Sequence, residues 1–132
     1  ERSGGLEALR AGDIPRDARL RLRLRTGAGN GPFGLRLRAR GFESGYPLDL
    51  NPAEYSVRLA DQELHGWHMQ AETVEIDVTF CRTILDVCLD GQYCLATRGL
   101  DQTGTGLWVY ALDRELVIEN WVVEPLDAPC IG

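Results

Sequence analysis

Hydrophobic and polar residues alternate along most of this chain. In residues 19–25, "RLRLRLR", every leucine lies between two arginines, and residues 35–40, "LRLRAR", repeat the pattern. A period of two places successive side chains on opposite faces of an extended strand. Residues 19–25 and the run 33–40 are therefore predicted to be half-buried β-strands with leucines in a core and arginines in solvent. The stretch "TGAGNGP" (26–32) between them is predicted to be a loop, because it is rich in glycine, asparagine and proline.

Short segments of the same kind continue to the C-terminus, separated by turn-forming residues. Further strands are predicted at 54–59, 73–80, 83–89, 93–98, 106–112 and 115–124. Only residues 5–10 suggest a turn or two of helix. Eight or nine short strands predict an all-β fold, an antiparallel two-sheet β-sandwich of the concanavalin-like or jelly-roll kind. We expect one such domain over residues 1–132, with 1–17 as an N-terminal lead-in and the whole as a fragment of a longer chain.

Charge is distributed unevenly between the two halves of the chain. The formal charge is −6, yet residues 1–66 contain eleven arginines against nine acidic residues, and residues 67–132 contain three against eleven. Basic and acidic strands are therefore expected to lie side by side and to form ion pairs. The acidic balance argues against nucleic acid as a partner. No membrane partner is expected either, because no apolar run approaches the ~20 residues that span a bilayer and residues 1–5 do not resemble a signal peptide.

The pair Asp90-Gly91 between two apolar segments predicts a β-hairpin. A two-residue turn would pair Cys88 with Tyr93, whereas a three-residue loop would pair Cys88 with Cys94. The chain has four cysteines at spacings unlike those of zinc sites, namely Cys81, Cys88, Cys94 and Cys130. Two interpretations stay open, buried thiols or at least one disulfide in an exported protein, and the compartment, secreted or cytoplasmic, stays open with them.

Two carboxylates in "EIDVTF" (75–80) raise the possibility of catalysis. Glu75 and Asp77 share one face of the predicted strand, and this resembles the alternating carboxylates of laminarinase-type jelly-roll glucanases. The third carboxylate of that motif is missing, so an exposed strand face paired with arginine is the simpler interpretation. His65 and His68 in "HGWH" have no third ligand nearby and are interpreted as part of a loop, so no metal is expected.

Aromatic residues are the candidates for carbohydrate binding, because sugar rings stack on flat faces whose polar edges also form hydrogen bonds. Trp108 and Tyr110 share one face of the predicted strand 106–112, opposite aliphatic residues, and either face could be the core. Trp67 lies in a polar segment and is expected to be the most exposed tryptophan, although packing in a core or an interface is the commoner fate of a tryptophan. Trp67, Trp108 and Tyr110 are the candidate carbohydrate-binding residues.

Five features follow one another between residues 73 and 126. They are a hydrophobic-acid-hydrophobic strand, an Asp-Gly hairpin, a strand ending in Thr-Arg, a glycine-rich link into a further strand, and a last strand ending in Pro-Leu. They fall at Leu85-Asp86-Val87, Asp90-Gly91, Thr97-Arg98, Gly104 to Val109, and Val117 to Leu126. This order resembles the C-terminal β-sandwich module of the β-fructosidase family (invertases, levanases and inulinases; glycoside hydrolase family 32). "FGLRLRARG" and "YPLDLNPAEYSVRL" resemble the family's first hairpins, so the resemblance covers most of residues 18–126.

The resemblance implies an accessory role. The catalytic Asp and Glu of these hydrolases belong to an N-terminal five-bladed propeller that these 132 residues do not contain, so no catalytic residue carries over. It implies a non-catalytic module of an enzyme acting on fructans or sucrose, which packs on the catalytic propeller and in some cases contacts carbohydrate. No cofactor is expected. The alternatives are a free-standing lectin-like carbohydrate-binding protein and, third, a jelly-roll glycosidase using Glu75 and Asp77.

Overall fold

The structure of the chain is a computed structural model that describes residues 2–3, 5–15, 17–69, 71–81, 84–98 and 104–126. These residues form twelve β-strands and a short 3-10 helix, Pro52–Glu54. The strands are β1 (Arg2–Ser3), β2 (Leu6–Asp13), β3 (Ala18–Gly29), β4 (Phe33–Ala39), β5 (Tyr46–Asn51), β6 (Ser56–Leu59), β7 (Gln62–His65), β8 (Thr73–Cys81), β9 (Ile84–Leu89), β10 (Tyr93–Arg98), β11 (Gly106–Leu112) and β12 (Arg114–Pro125). None of the described residues belongs to a helix long and apolar enough to cross a membrane.

The strands form two antiparallel sheets. One has seven strands in the order β1-β2-β11-β4-β5-β6-β7, and the other has five in the order β10-β9-β8-β3-β12. Strands from the N-terminal and C-terminal parts of the chain are neighbours in both sheets, since β2 pairs with β11 and β3 pairs with β12. The predicted all-β, antiparallel two-sheet sandwich is confirmed.

The core lies between the sheets and is made of the alternating apolar residues. Leu20, Leu22 and Leu24 of β3 are at most 3% exposed, and Leu35 and Leu37 of β4 are fully buried. Burial of one such side chain stabilises the fold by about 1.5–3 kcal/mol. The prediction that leucines face a core and arginines face solvent is confirmed for β3.

The arginines of β3 lie between two acidic strands, as the charge distribution predicted. β8 lies on one side of β3 and β12 on the other. Arg19 Nη2 is 2.6 Å from Asp77 Oδ2, and Arg25 Nε is 2.8 Å from a carboxylate oxygen of Glu119. The ion pairs are largely solvent-exposed, so each contributes at most about 1 kcal/mol.

Three sequence-based predictions are wrong in detail. Residues 6–10, predicted as a turn or two of helix, belong to β2, a strand paired with β11 along its length, so the segment predicted as a lead-in contributes to the larger sheet. Pairing with β11 overrides the weak local preference for a helical turn. The predicted loop 26–32 is strand as far as Gly29, because β3 pairs with β12 up to that residue. The predicted strand 54–59 begins only at Ser56, after the 3-10 helix.

The hairpin at Asp90-Gly91 has the three-residue loop. Leu89 pairs with Tyr93 and Cys88 pairs with Cys94, and the two cysteines form a disulfide between β9 and β10. Cys81 is also disulfide-bonded. The disulfide interpretation is therefore confirmed over that of buried thiols, while Cys130 lies outside the described residues.

Candidate functional site

β11 presents its two aromatic residues on the outer face of the seven-stranded sheet. Leu107, Val109 and Ala111 face the other sheet and are at most 5% exposed. Of the two faces that the sequence left open, the aliphatic one is therefore the core. Trp108 is partly exposed on the opposite face, and Tyr110 is covered by its neighbours there to 6% exposure.

β4 and β5 bring a charged pair to the same face. Arg36 lies opposite Trp108 in register, and Gly34 separates Tyr110 on β11 from Asp49 on β5. Arg36 Nη1 donates to Asp49 Oδ1 at 2.9 Å and to the backbone carbonyl of Leu35 at 3.0 Å. The Tyr110 hydroxyl donates to the same carboxylate oxygen. One carboxylate therefore holds a guanidinium and a phenol in fixed positions.

The Arg36 guanidinium also lies against two aromatic rings. Its central carbon is 4.8 Å from the Tyr110 ring centroid and 5.2 Å from that of Phe42. The Phe42 centroid is 5.6 Å from that of Tyr110 and 6.3 Å from that of Trp108. Cations attract the faces of aromatic rings at such distances. Arg36, Asp49, Tyr110, Trp108 and Phe42 thus form one cluster, which we call the aromatic–charged cluster.

Phe42 is brought to the cluster by the turn between β4 and β5. The Ser44 hydroxyl oxygen accepts hydrogen bonds from the backbone N–H groups of Arg40, at 2.8 Å, and Gly41, at 3.2 Å. The Ser44 N–H donates to the carbonyl of Gly41 at 3.1 Å. The turn is therefore closed on itself, and it fixes the partly buried Phe42 at one end of the sheet.

Burial extends the pH range in which Tyr110 is protonated. Desolvation raises the pKa of Tyr110 above the ordinary value of 10.0, and the negative charge of Asp49 raises it further. The phenol therefore stays protonated even at alkaline pH values at which an ordinary tyrosine ionises, and it remains a donor to Asp49.

The outer face continues beyond the cluster toward β6 and β7. Asp49 lies opposite Arg58, and Arg58 lies opposite Glu63. Arg58 is exposed and donates through Nε to the carbonyl of Ala60 at 3.2 Å. The outer face thus combines flat rings with exposed donors and acceptors. Binding sites for small polar molecules that also have apolar faces combine such groups.

Trp67 does not have the exposure expected from sequence. It is 0% exposed and belongs to the core cluster between the sheets. The backbone N–H of Trp67 donates to the carbonyl of Tyr55 at 3.1 Å, alongside the backbone N–H of Gly66 at 2.8 Å, and this folds the loop after β7 back toward the core. The expected exposure is wrong for this reason, and Trp67 offers no free ring face to a ligand.

Glu75 and Asp77 lie on the outer face of the other sheet and pair with arginine. Arg19 donates to both carboxylate oxygens of Asp77, at 3.0 and 2.6 Å, and Arg23 Nε is 3.8 Å from Glu75. The hydrogen bond from Arg19 holds the pKa of Asp77 below its ordinary value of 3.8. A groove of about 640 Å³ passes these residues, but none of the described residues that line it is aromatic.

The two histidines lie near the end of β7. His65 Nε2 is 3.5 Å from a carboxylate oxygen of Glu63. The His68 ring stacks against Tyr55, with ring centroids 4.6 Å apart. Among the residues described, no group of three or more His, Cys, Asp or Glu side chains could hold a metal ion.

Sequence reasoning found Trp108 and Tyr110 but missed Arg36, Asp49 and Phe42. Arg36 and Asp49 each stand between buried leucines, so alternation places both on an outer face. Alternation does not reveal the strand order, and it is the strand order that places β4 between β5 and β11 and so brings these residues together. Phe42 lies in a turn, where no periodicity indicates the direction of a side chain.

No protein-family model matches this sequence, and no curated protein matches it. Solved structures do match the fold. The chain is similar to the carbohydrate-binding module CBM66 from Bacillus subtilis, with a TM-score of 0.77 and 15% identity over 93% of this chain and 84% of that one. It is similar to a variant of human galectin-16, with a TM-score of 0.66 and 11% identity over 89% of this chain and 94% of that one.

It is also similar to part of a fructosyltransferase from A. japonicus. That match has a TM-score of 0.67 and 14% identity, and it covers 89% of this chain but 24% of the enzyme. At these identities the matches show a shared β-sandwich fold.

Proposed function

We propose that this chain is a non-catalytic carbohydrate-binding module that holds sugar on the outer face of the seven-stranded sheet. The aromatic–charged cluster carries the proposal. Arg36 and Asp49 offer charged donors and acceptors to sugar hydroxyls, while Trp108 and Phe42 offer apolar ring faces to the C–H groups of a sugar ring. Trp108 and Tyr110, predicted from sequence, are part of this proposed site.

Fructans and sucrose are the proposed ligands. The sequence resembles the sandwich module of β-fructosidases, and the fold is shared with part of a fructosyltransferase. The fold is also shared with a carbohydrate-binding module and with galectins, which is support by analogy. We propose the aromatic–charged cluster as the binding site because of the chemistry of its residues, and the shared fold does not enter that choice.

The finer proposal is an accessory module of a fructan- or sucrose-directed glycoside hydrolase, packed on its catalytic propeller. An apolar edge supports this. Leu9 on β2 is 60% exposed. A groove of about 340 Å³ between β2 and β12 is lined in part by Leu9, Leu116 and Ile118. Such an edge suits docking against another domain. A parent reading frame that encodes propeller-type strands upstream would support docking, and a frame without them would contradict it.

The binding proposal is tested by calorimetric titration with sucrose, inulin and levan. Asp49→Asn is expected to weaken binding at least about tenfold, because the carboxylate that positions both Arg36 and Tyr110 loses its charge. Asp77→Asn is the matched control, since it alters a similar Arg–Asp pair on the other sheet. Equal effects of the two substitutions would contradict the proposed location.

A free-standing lectin-like protein is the second candidate, favoured by the match over 94% of a galectin chain. The two candidates share a site and differ in ligand. Lactose in the same titrations separates them, because a galectin-like preference would give binding to lactose and none to fructans.

The absence of catalysis is part of the proposal. Asp77 is engaged by Arg19 through both oxygens, and its lowered pKa is the opposite of what a general acid requires. The jelly-roll glycosidase alternative is tested by assaying the wild type and Glu75→Gln on a panel of β-glucans. Hydrolysis by the wild type that is lost in Glu75→Gln would contradict the non-catalytic proposal.

A further inference from the structure

Tyr55 has an unusual backbone conformation for a large residue. It lies immediately before β6 with φ 55° and ψ 41°, in the left-handed region. Tyrosine is uncommon there, whereas glycine adopts this conformation freely and asparagine does so more readily. The conformation is held by three backbone hydrogen bonds, in which Tyr55 donates to Pro52 and accepts from Gly66 and Trp67. These bonds therefore fix the direction in which the Tyr55 side chain leaves the backbone.

The Tyr55 ring adds little to the core, because the residue is 52% exposed. It stacks against His68, which is also exposed, at a centroid distance of 4.6 Å and an interplanar angle of 40°. Trp67, next to His68, is fully buried and anchors the loop. The two exposed rings are therefore held in place by a loop that the buried Trp67 anchors to the core. A ring of this kind offers a surface on which a sugar can stack.

Polar residues of the outer face lie between the aromatic–charged cluster and the chain segments that carry these two rings. Asp49 on β5 and Arg58 on β6 lie side by side across the strands. The next such set, two residues further along β5, is Asn51 on β5, Ser56 on β6 and His65 on β7. Asn51 stands before the 3-10 helix without forming a side-chain capping bond. Its amide is therefore not used to cap the helix.

The spacing indicates the size of the ligand. Ser56 precedes Arg58 on β6 by two residues, which corresponds to roughly 7 Å along an extended strand, and Tyr55 lies one residue further along the chain. A single sugar ring is shorter than this distance. Only a chain of sugars lying along β5 and β6 could contact both the aromatic–charged cluster and Tyr55.

We propose that Tyr55 and His68 form a second sugar subsite and that the ligand is an oligosaccharide laid along β5, β6 and β7. This inference rests on the proposed function, because it extends the same face. Asn51, Ser56 and His65 supply donors and acceptors between the two ends. The Tyr55 ring supplies the stacking surface at the far end, and His68 supports that ring from one side.

The inference is tested by titrating one series of increasing length, namely sucrose, 1-kestose and nystose. The wild type is expected to bind nystose more tightly than sucrose. Tyr55→Asn is expected to lower the affinity for nystose about fivefold while leaving that for sucrose within about twofold. Tyr55→Phe, which retains the ring, is expected to keep the nystose affinity. Val117→Asn is the control, because it removes an equally exposed apolar side chain from the other sheet.

Asparagine tolerates the left-handed conformation, so Tyr55→Asn is expected to unfold at no lower temperature than the wild type. A loss of nystose affinity would then report the missing ring and not unfolding. Affinity independent of ligand length, or an unchanged nystose affinity in Tyr55→Asn, would overturn the second subsite while leaving the Asp49-dependent site intact. Binding of none of the three sugars would overturn the second subsite, and the titrations with inulin and levan would then decide the Asp49-dependent site.

Discussion

The hydroxyl of Tyr110 on β11 donates to the carboxylate of Asp49 on β5 across the full width of β4. Gly34 is the residue of β4 that lies between them in register. Because glycine has no side chain, nothing stands between the phenol and the carboxylate. The polar centre of the candidate site therefore depends on a residue that need not contact any ligand.

Gly34→Ala is expected to destabilise the fold by about 1–3 kcal/mol. A β-carbon at Gly34 would lie 1.9 Å from the carbonyl oxygen of Leu48, so the backbones of β4 and β5 would have to separate. Urea unfolding measures the effect. Gly41→Ala is the control, since a β-carbon there would meet nothing within 4 Å, and a similar loss in both variants would contradict the explanation.

Tyr110 is expected to make stability depend on alkaline pH. Its pKa in the folded state is raised above 10.0, chiefly by burial, so folding favours the neutral phenol. The resulting stabilisation is complete below pH 10 and decreases as the pH rises above 10, because only the unfolded chain then releases the proton readily. Unfolding free energies between about pH 8 and pH 11 should therefore converge for the wild type and Tyr110→Phe. A difference that is constant with pH would contradict this prediction.

Asp77 is expected to contribute a small stabilisation that disappears in acid. The Arg19 hydrogen bond holds the pKa of Asp77 below 3.8, so its contribution is present above pH 3.8 and is lost as the pH falls through the folded-state pKa. Asp77→Asn should cost a few tenths to about 1 kcal/mol at neutral pH, since the pair is partly exposed. Asp86→Asn, at an exposed position on the neighbouring strand, is the control and should change little.

The Cys88–Cys94 disulfide is expected to stabilise the fold by about 2 kcal/mol, a modest value because it closes a short loop. Among the strands that the structure describes, β10 is at an edge of its sheet and pairs with β9 alone. Replacing both cysteines by alanine should therefore increase amide hydrogen exchange in β10 and leave β3 protected. Equal increases in both strands would show that the disulfide supports the whole sandwich.

Alternation predicted the strands whose two faces differ most in polarity, including β3, β8 and β11. It failed where the pattern was short or where pairing partners were distant. β2 has weak alternation and is a strand because β11 lies beside it. β5 and β7 were not predicted as separate strands, although "YPLDL" alternates apolar with other residues.

The candidate site was harder to predict than the fold. The outer aromatic pair on β11 could be located from spacing, but the partner of Tyr110 is 61 residues away in the chain. Trp67 shows the opposite difficulty. Its polar neighbours suggested exposure, whereas two backbone hydrogen bonds to Tyr55 turn the loop and bury the indole.

The strand order has a consequence for how this chain folds. β3 is made early in synthesis but lies between β8 and β12, and β2 lies beside β11. During synthesis on the ribosome, the arginine-rich strand has no partner on one flank until the last strand emerges. Contacts between such distant segments are slow to form, which places this fold among the slower two-state topologies, with folding times of roughly milliseconds to seconds. Until then the backbone N–H and C=O groups along that flank of β3 are unpaired, and this open sheet edge could pair with another chain.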